Sequence, residues 1–146
     1  MKFWDASALI PLCIDEPQTR IVRDIVKKDS DIVAWWGSPV ECSSAFARLR
    51  REGILKEEEL ARIRRLLLHL SDTWTEIEPS DDVRNTAGRL LFIHPLHAAD
   101  SFQLAAALVW ADKSPQGHQF VCLDRRLREI AEKEGFLLLP ENLPVS

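Results

Sequence analysis

The chain has 146 residues, of which 46% are apolar and 29% are charged, and its formal net charge is −4. This composition predicts a single globular domain over residues 1–146, with enough apolar residues to form a buried core. It argues against a membrane protein, because no apolar run approaches the ~18 residues of a membrane span. It also argues against a polyanion binder with a uniformly basic surface.

The cysteines and the N-terminus indicate where the protein works. Cys13, Cys42 and Cys122 are far apart and odd in number, which fits neither a disulfide framework nor a zinc site. We expect them to be small buried hydrophobes. Asp5 interrupts the N-terminal apolar stretch and no small-residue cleavage site follows it, so the sequence predicts no signal peptide and a cytoplasmic location.

The N-terminal part of the chain predicts strands and helices in alternation. Residues 2–5 (KFWD) are typical of a short buried strand. Residues 7–14 predict a short helix or a turn that contains a proline, and residues 16–30 have apolar positions at helical spacing. Residues 31–36 (DIVAWW) form a β-branched and aromatic run that predicts a second strand.

The middle of the chain predicts two helices, a strand and a third helix. Residues 38–53 begin with a Ser-Pro pair and end with glycine, the usual punctuation of a helix. Residues 56–72 carry an apolar stripe on one helical face. Residues 73–79 alternate like a strand, and residues 80–94 predict a helix that stops before a proline.

The C-terminal part completes the pattern. Residues 97–113 are apolar on almost every side, which predicts a buried helix. Residues 119–124 (QFVCLD) and 136–140 (FLLLP) predict strands, and residues 125–135 predict a helix closed by glycine. Strands that alternate with helices and are apolar throughout predict an α/β fold. We expect a three-layer α/β/α arrangement with a small, mainly parallel sheet.

Four acidic residues fall where such a fold places its ligand site. Asp5 and Asp124 end predicted strands. Glu41 and Asp100 lie in the first turns of predicted helices. Because ligands bind outside the carboxyl ends of parallel strands, we expect these side chains to meet at that edge. Crowded carboxylates take up protons or bind a cation, and hard oxygen ligands select Mg²⁺ or Mn²⁺.

Each acid also has a local interpretation that requires no metal. Ser38 and Glu41 have the spacing of a capping box. Asp124 and Asp5 would cap the helix and the turn that follow them. Asp100 would interact favourably with the positive end of its helix dipole. Taken singly, each acid favours the capping interpretation. Taken together, four carboxylates at one edge favour a cation site.

Four segments occur in an order and spacing that are specific as a set: WDASALIPL, PVECSSAFARLRREG, LHAADSFQLAAAL and FVCLDRRLREIAEKEGFLLL. In these segments the chain resembles the PIN-domain ribonucleases, and in particular the VapC toxins of toxin–antitoxin pairs. The resemblance implies that catalysis and metal binding are carried by Asp5, Glu41, Asp100 and Asp124. It assigns Ser7 the hydroxyl that orients the first acid or a bound water. The family often has Thr or Ser at the position of Cys122, and a thiol is a poorer hydrogen-bond partner, so the hydrogen bonding that supports the acids is expected to be weaker or differently arranged.

The resemblance also implies a function and partners. It implies an endoribonuclease dependent on Mg²⁺ (or Mn²⁺) that hydrolyses RNA phosphodiester bonds as the toxin of a type II toxin–antitoxin system. It implies a homodimer, a cognate antitoxin, and contact with DNA only through that antitoxin. Carboxylates repel phosphate, so basic side chains should flank them. The candidates are Arg48, Arg51, Arg125 and Arg126.

Other functions fit the sequence less well or remain as alternatives. A receiver domain needs adjacent acids after its first strand, and a dehalogenase-like phosphatase needs Asp-x-Asp where this chain has Asp5-Ala6-Ser7. The chain has only five glycines and no glycine-rich nucleotide motif. The alternative that stays open is a catalytically idle PIN-like module that binds RNA or protein.

Overall fold

The computed structural model describes residues 1–143. Within them the chain forms five strands: β1 (Lys2–Trp4), β2 (Ile32–Trp35), β3 (Thr75–Ile77), β4 (Gln119–Val121) and β5 (Leu137–Leu139). The same residues form seven helices: α1 (Ala6–Cys13), α2 (Thr19–Lys28), α3 (Ser38–Arg51), α4 (Glu57–Thr73), α5 (Asp81–Ile93), α6 (Ala98–Trp110) and α7 (Arg125–Glu134). Each strand and helix predicted from the sequence is present, and the segment left open between helix and turn is helix α1.

The described strands form one parallel sheet in the order β3-β2-β1-β4-β5. β1 is central, and Phe3 pairs with Val33 of β2 on one side and with Phe120 of β4 on the other. Parallel neighbours need crossover connections, so the chain passes over the sheet faces through its helices. The predicted α/β fold with a small parallel sheet is confirmed. All five strands end at one edge of the sheet, just before residues 5, 36, 78, 122 and 140. We call this edge the carboxyl edge.

Helices cover both faces of the sheet, and each face has its own apolar core. Phe3 belongs to the core that α5, α6 and α7 share, and Trp4 belongs to the core that α1 to α4 share. Both side chains are completely buried. Consecutive residues of a strand point to opposite faces, so a strand covered on both sides is apolar at every position. This explains the continuous apolar run of β2 (IVAW), all four residues of which are buried.

Helix α6 has the most buried residues of the described helices. Leu104, Ala105, Ala106, Ala107 and Leu108 are buried, and the helix packs against α5, β2 and β3. Small alanine side chains let a helix approach its neighbours closely. In residues 1–143, no helix combines the length and the apolar character needed to cross a lipid bilayer.

Candidate active site

The four predicted acids line one cavity at the carboxyl edge, which we call the acidic cavity. Asp5 follows β1 directly, and Asp124 precedes α7. Glu41 and Asp100 belong to the first turns of α3 and α6. The cavity has a volume of about 410 Å³ and is lined by all four carboxylate residues. The structure therefore brings together side chains that are up to 119 positions apart, the separation of residues 5 and 124 (124 − 5).

Asp5 is held in place by Ser7 and by the neighbouring strand. Its Oδ1 accepts a hydrogen bond of 2.7 Å from the Ser7 hydroxyl, and its Oδ2 accepts one of 3.3 Å from the Ser7 backbone N–H. The Ser7 hydroxyl oxygen accepts a 2.8 Å hydrogen bond from the backbone N–H of Leu123, beyond the end of β4. Ser7 thus ties the carboxylate after β1 to the chain after β4, and Asp5 also caps α1.

Cys122 occupies the position where the resemblance leads one to expect a hydroxyl. Its Sγ lies 3.7 Å from the Ser7 Oγ and 3.5 Å from the backbone carbonyl oxygen of Asp124. Burial raises the pKa of its thiol well above the usual range, so the thiol stays neutral. Cys13, Cys42 and Cys122 are all buried free thiols, as expected. The hydroxyl of Ser7, rather than Cys122, accepts the hydrogen bond from the backbone N–H of Leu123 after β4.

Glu41 does not take part in the capping box that the sequence suggests. Gly37 is the N-cap of α3, and Ser38 is already the first helical residue and completely buried. The Nε2 amide of Gln103 donates hydrogen bonds of 2.9 Å to the Ser38 hydroxyl and of 2.9 Å to Glu41 Oε1. The capping interpretation of Glu41 is therefore wrong, because its carboxylate is held from α6 across the site.

Gln103 is a site residue that the sequence analysis missed. Its side chain is completely buried, and its two donated hydrogen bonds fix one oxygen of Glu41 relative to α6. The signal was present in the sequence, since Gln103 interrupts the apolar helix predicted over residues 97–113 with a long polar side chain. A buried amide needs hydrogen-bond partners, and its Nε2 finds them at the carboxyl edge, whereas its Oε1 has none among the described residues.

Asp124 combines the capping role with a place at the site. Its Oδ1 accepts a 3.0 Å hydrogen bond from the backbone N–H of Leu127, so it caps α7. Among the described residues, its Oδ2 accepts no side-chain or backbone hydrogen bond. A capping residue whose second oxygen faces a cavity can still serve as a ligand, so the two interpretations are not exclusive.

The carboxylates repel one another, and burial adds to the cost of ionising them. Burial raises the pKa of Asp5 to about 7, hydrogen bonds from Ser7 oppose this rise, and the charge of Glu41 adds to it. Burial also raises the pKa of Glu41, where the charge of Asp100 adds to the rise, and that of Asp100, where the charge of Asp124 does so. The repulsion thus runs through all four acids and shows that they form one electrostatic group.

Within residues 1–143, no Lys, Arg or His side chain forms an ion pair with any of these four acids. In the same residues, no three Asp, Glu, His or Cys side chains converge as a ready metal-binding group. The cavity is therefore negatively charged and lined by oxygen donors that are still apart.

The candidate arginines divide into two pairs. Arg48 lines the acidic cavity. The positive charge of Arg126 opposes the rise in the pKa of Asp100 that burial causes. Arg125 lines a separate surface pocket next to Glu129, and Arg51 is exposed at the last residue of α3, outside the cavity lining. The structure therefore places Arg48 at the acidic cavity and the charge of Arg126 close enough to act on Asp100, whereas Arg51 and Arg125 do not line the cavity.

The fold and the cavity define a class of α/β proteins with carboxylates gathered at the carboxyl edge of a small parallel sheet. The structure matches a toxin–antitoxin complex from Klebsiella pneumoniae with a TM-score of 0.66 at 14% sequence identity, over 99% of this chain and 100% of that chain. It matches VapC20 from Mycobacterium tuberculosis, a toxin that cleaves the sarcin–ricin loop, with a TM-score of 0.67 at 15% identity, over 99% and 100%. FitAcB from Neisseria gonorrhoeae matches with a TM-score of 0.62 at 14% identity, over 90% and 94%.

The resemblance seen in the sequence is thus matched in three dimensions, and the chain has the fold of the VapC-type toxins. No family model matches the sequence, and no curated protein matches it.

Proposed function

We propose that the protein is a metal-dependent endoribonuclease that hydrolyses RNA phosphodiester bonds as the toxin of a type II toxin–antitoxin pair. One observation carries the proposal: four carboxylate residues line a single cavity at the carboxyl edge. A protein that only binds RNA has no use for such a group, because carboxylates repel phosphate. The fold shared with VapC20, a toxin that cleaves the sarcin–ricin loop, supports the same function.

The donor set of the acidic cavity fits Mg²⁺ or Mn²⁺. Carboxylate oxygens are hard ligands of the kind these cations prefer. Asp5 is only 4% exposed and, among the described residues, has no cationic partner, so its ionised form is disfavoured until a cation is near. Since the donors are still apart, we propose that side-chain rotation into the cavity completes the site.

The residues of the chain have distinct roles in this proposal. Metal binding is assigned to Asp5, Glu41, Asp100 and Asp124. A bound divalent cation lowers the pKa of a water molecule in the site and offsets negative charge on the phosphoryl oxygens. Ser7 orients Asp5, and the amide of Gln103 orients Glu41. Arg48 and Arg126 offer guanidinium groups to the phosphate, which would otherwise be repelled by the acids.

The partners proposed here follow from the shared fold. The match from Klebsiella pneumoniae is a toxin–antitoxin complex. We propose that this chain likewise pairs with a cognate antitoxin in the cytoplasm, that it forms a homodimer, and that it meets DNA only through the antitoxin.

Cleavage of RNA by the purified chain is expected in Mg²⁺ or Mn²⁺ and is expected to stop when EDTA removes the cation. The carboxylates bind the cation through charge, so chelation removes the group that activates water. The measurement is gel analysis of end-labelled RNA before and after chelation, with Mg²⁺ added back. Cleavage that persists in EDTA would contradict metal dependence. Tight RNA binding without cleavage in either metal would favour the idle binding module.

Replacement of Arg48 with Ala is expected to lower kcat/KM for RNA about 10-fold, mostly through KM, because the guanidinium meets the phosphate rather than the attacking water. The salt dependence of RNA binding should also become shallower by about one phosphate contact. Arg51→Ala is the matched control, since Arg51 is on the same helix but outside the cavity lining. Equal losses in the two variants would contradict the role assigned to Arg48.

A further inference from the structure

A second cavity, of about 430 Å³, opens where β2 and β3 end, and we call it the aromatic pocket. Its walls come from the end of β2, the segment after β3, and the starts of α5 and α6. The pocket is lined by, among others, Trp35, Trp36, Pro79, Val83 and Phe102, with Asp81 and Arg84 at the rim. The function proposed above leaves this cavity unassigned.

Two buried or partly buried rings form a fixed support in this pocket. The rings of Trp35 and Phe102 stack with centroids 5.5 Å apart and planes 3° from parallel. A Cβ atom added at Gly37 would lie 2.5 Å from Nε1 of Trp35, so only glycine lets the indole lie this close to the backbone. Trp36 meets Trp35 edge-on at 6.4 Å and 70°, and remains 54% exposed. An exposed indole is thus presented on a packed aromatic base.

The rim of the aromatic pocket carries charges that cancel. Arg84 Nη2 lies 3.0 Å from Asp81 Oδ1, and both side chains are exposed. A pocket for a phosphate would present cations without an acidic partner. The lining therefore favours an uncharged, flat ligand with π-faces and polar edges. Nucleobases of single-stranded RNA have this chemistry, and they are recognised by stacking on aromatic side chains.

The aromatic pocket and the acidic cavity share their supporting elements. On α6, Asp100 lines the acidic cavity and Phe102 lines the aromatic pocket. Trp36, directly after β2, lines one cavity, and Glu41, in the first turn of α3 five positions later (41 − 36), lines the other. Neighbouring strands lie only about 4.8 Å apart. Trp36 follows β2 and Asp5 follows the paired strand β1, so the two cavities open at the ends of adjacent strands on one edge of the sheet.

We propose that the aromatic pocket is a base-stacking subsite that takes an unstacked nucleobase flanking the scissile phosphate, with Trp36 as its platform. This inference rests on the proposed ribonuclease function, because it assigns the pocket to the same RNA strand. Stacking of this kind tolerates different bases and positions the strand, so Trp36 is a substrate-positioning residue.

The test measures RNA affinity in an Asp5→Asn background, in which the RNA is not consumed. The probes are a fluorescein-labelled oligoadenylate of about 12 nucleotides and a ribose–phosphate oligomer of the same length without bases, both followed by fluorescence anisotropy in Mg²⁺. Trp36→Ala is expected to weaken binding of the oligoadenylate roughly 5- to 150-fold and to leave binding of the base-free oligomer unchanged. Trp36→Phe should keep most of the affinity, because it retains a ring.

Phe92→Ala is the matched control, since Phe92 is 95% exposed and lines neither cavity, and it should bind both probes like the parent. Unchanged oligoadenylate affinity in Trp36→Ala overturns the proposal, as does an equal loss for the base-free oligomer or a parent that binds neither probe. If sedimentation shows that Trp36→Ala changes the oligomeric state while RNA affinity is unchanged, the pocket is a protein interface instead. The ribonuclease function is decided separately, by cleavage with the unmodified chain.

Discussion

Replacing Asp5 with Asn is expected to lower the rate of RNA cleavage by at least ~10³-fold and to leave the fold intact. Asn keeps the shape of the side chain, and its Oδ1 still accepts the hydrogen bond from the Ser7 hydroxyl. What it lacks is the negative charge in the most buried position of the acidic cavity. A divalent cation supplies several kcal/mol of transition-state stabilisation, and each 1.36 kcal/mol corresponds to a tenfold change in rate.

Initial rates on end-labelled RNA in Mg²⁺ measure this effect, and circular dichroism checks the fold. Asp72→Asn is a suitable control, because Asp72 is an exposed acid on α4 that does not line the cavity. It should cleave like the unmodified chain. If Asp5→Asn cleaves at the same rate as this control, the acidic cavity is not the catalytic site, and the nuclease proposal loses its main support.

Much of the fold could be predicted because its physical signals are local. A sheet covered on both faces favours apolar residues at every strand position, and residues 32–35 (IVAW) show this directly in the sequence. The acids could also be placed, because strand ends and helix starts coincide at the carboxyl edge. For the same reason, the capping and cation-site interpretations overlap at Asp5 and Asp124, which cap α1 and α7 while lining the cavity.

The rest of the site depends on contacts that no local pattern encodes. The hydrogen bond from Gln103 to Glu41 spans 62 positions, and that from Leu123 to Ser7 spans 116. Both exist only because the strand order places β1 between β2 and β4. The arginines show the same limit. Arg48 and Arg51 belong to the same predicted helix, yet only Arg48 lines the acidic cavity. The sequence predicts Trp36 only as part of a strand, because exposure at a strand end depends on the tertiary structure.

Without added metal, the unmodified chain is expected to lose stability as the pH rises from about 4 to about 7, and Asp5→Asn should lose much less. Burial raises the pKa of Asp5 from 3.8 to about 7. Between these values the unfolded chain has released the proton that the folded chain still holds, so the free energy of unfolding falls with pH and levels off above about 7. For Asp5 this amounts to a few kcal/mol at most.

Urea denaturation at pH 5 and pH 8 measures the difference between the two proteins. At pH 8 the Asp5→Asn variant should be more stable by about 1–3 kcal/mol, because removing the buried charge outweighs the cost of one imperfectly paired amide. Glu41 and Asp100, whose pKa values burial also raises, should leave a smaller pH dependence in the variant. Addition of Mg²⁺ at pH 8 should stabilise the unmodified chain more than the variant.

This measurement separates the two interpretations of Asp5 that the sequence left open. Asn caps a helix about as well as Asp does, so an Asp5 that served only as a cap would give a variant of nearly unchanged stability throughout this pH range. Loss of a buried carboxylate kept for cation binding raises stability at neutral pH while it abolishes cleavage. A variant whose stability at pH 8 and whose pH dependence both match those of the unmodified chain would show that Asp5 serves only as a cap. The acidic cavity would then lack the buried, destabilising carboxylate charge on which the ribonuclease proposal depends.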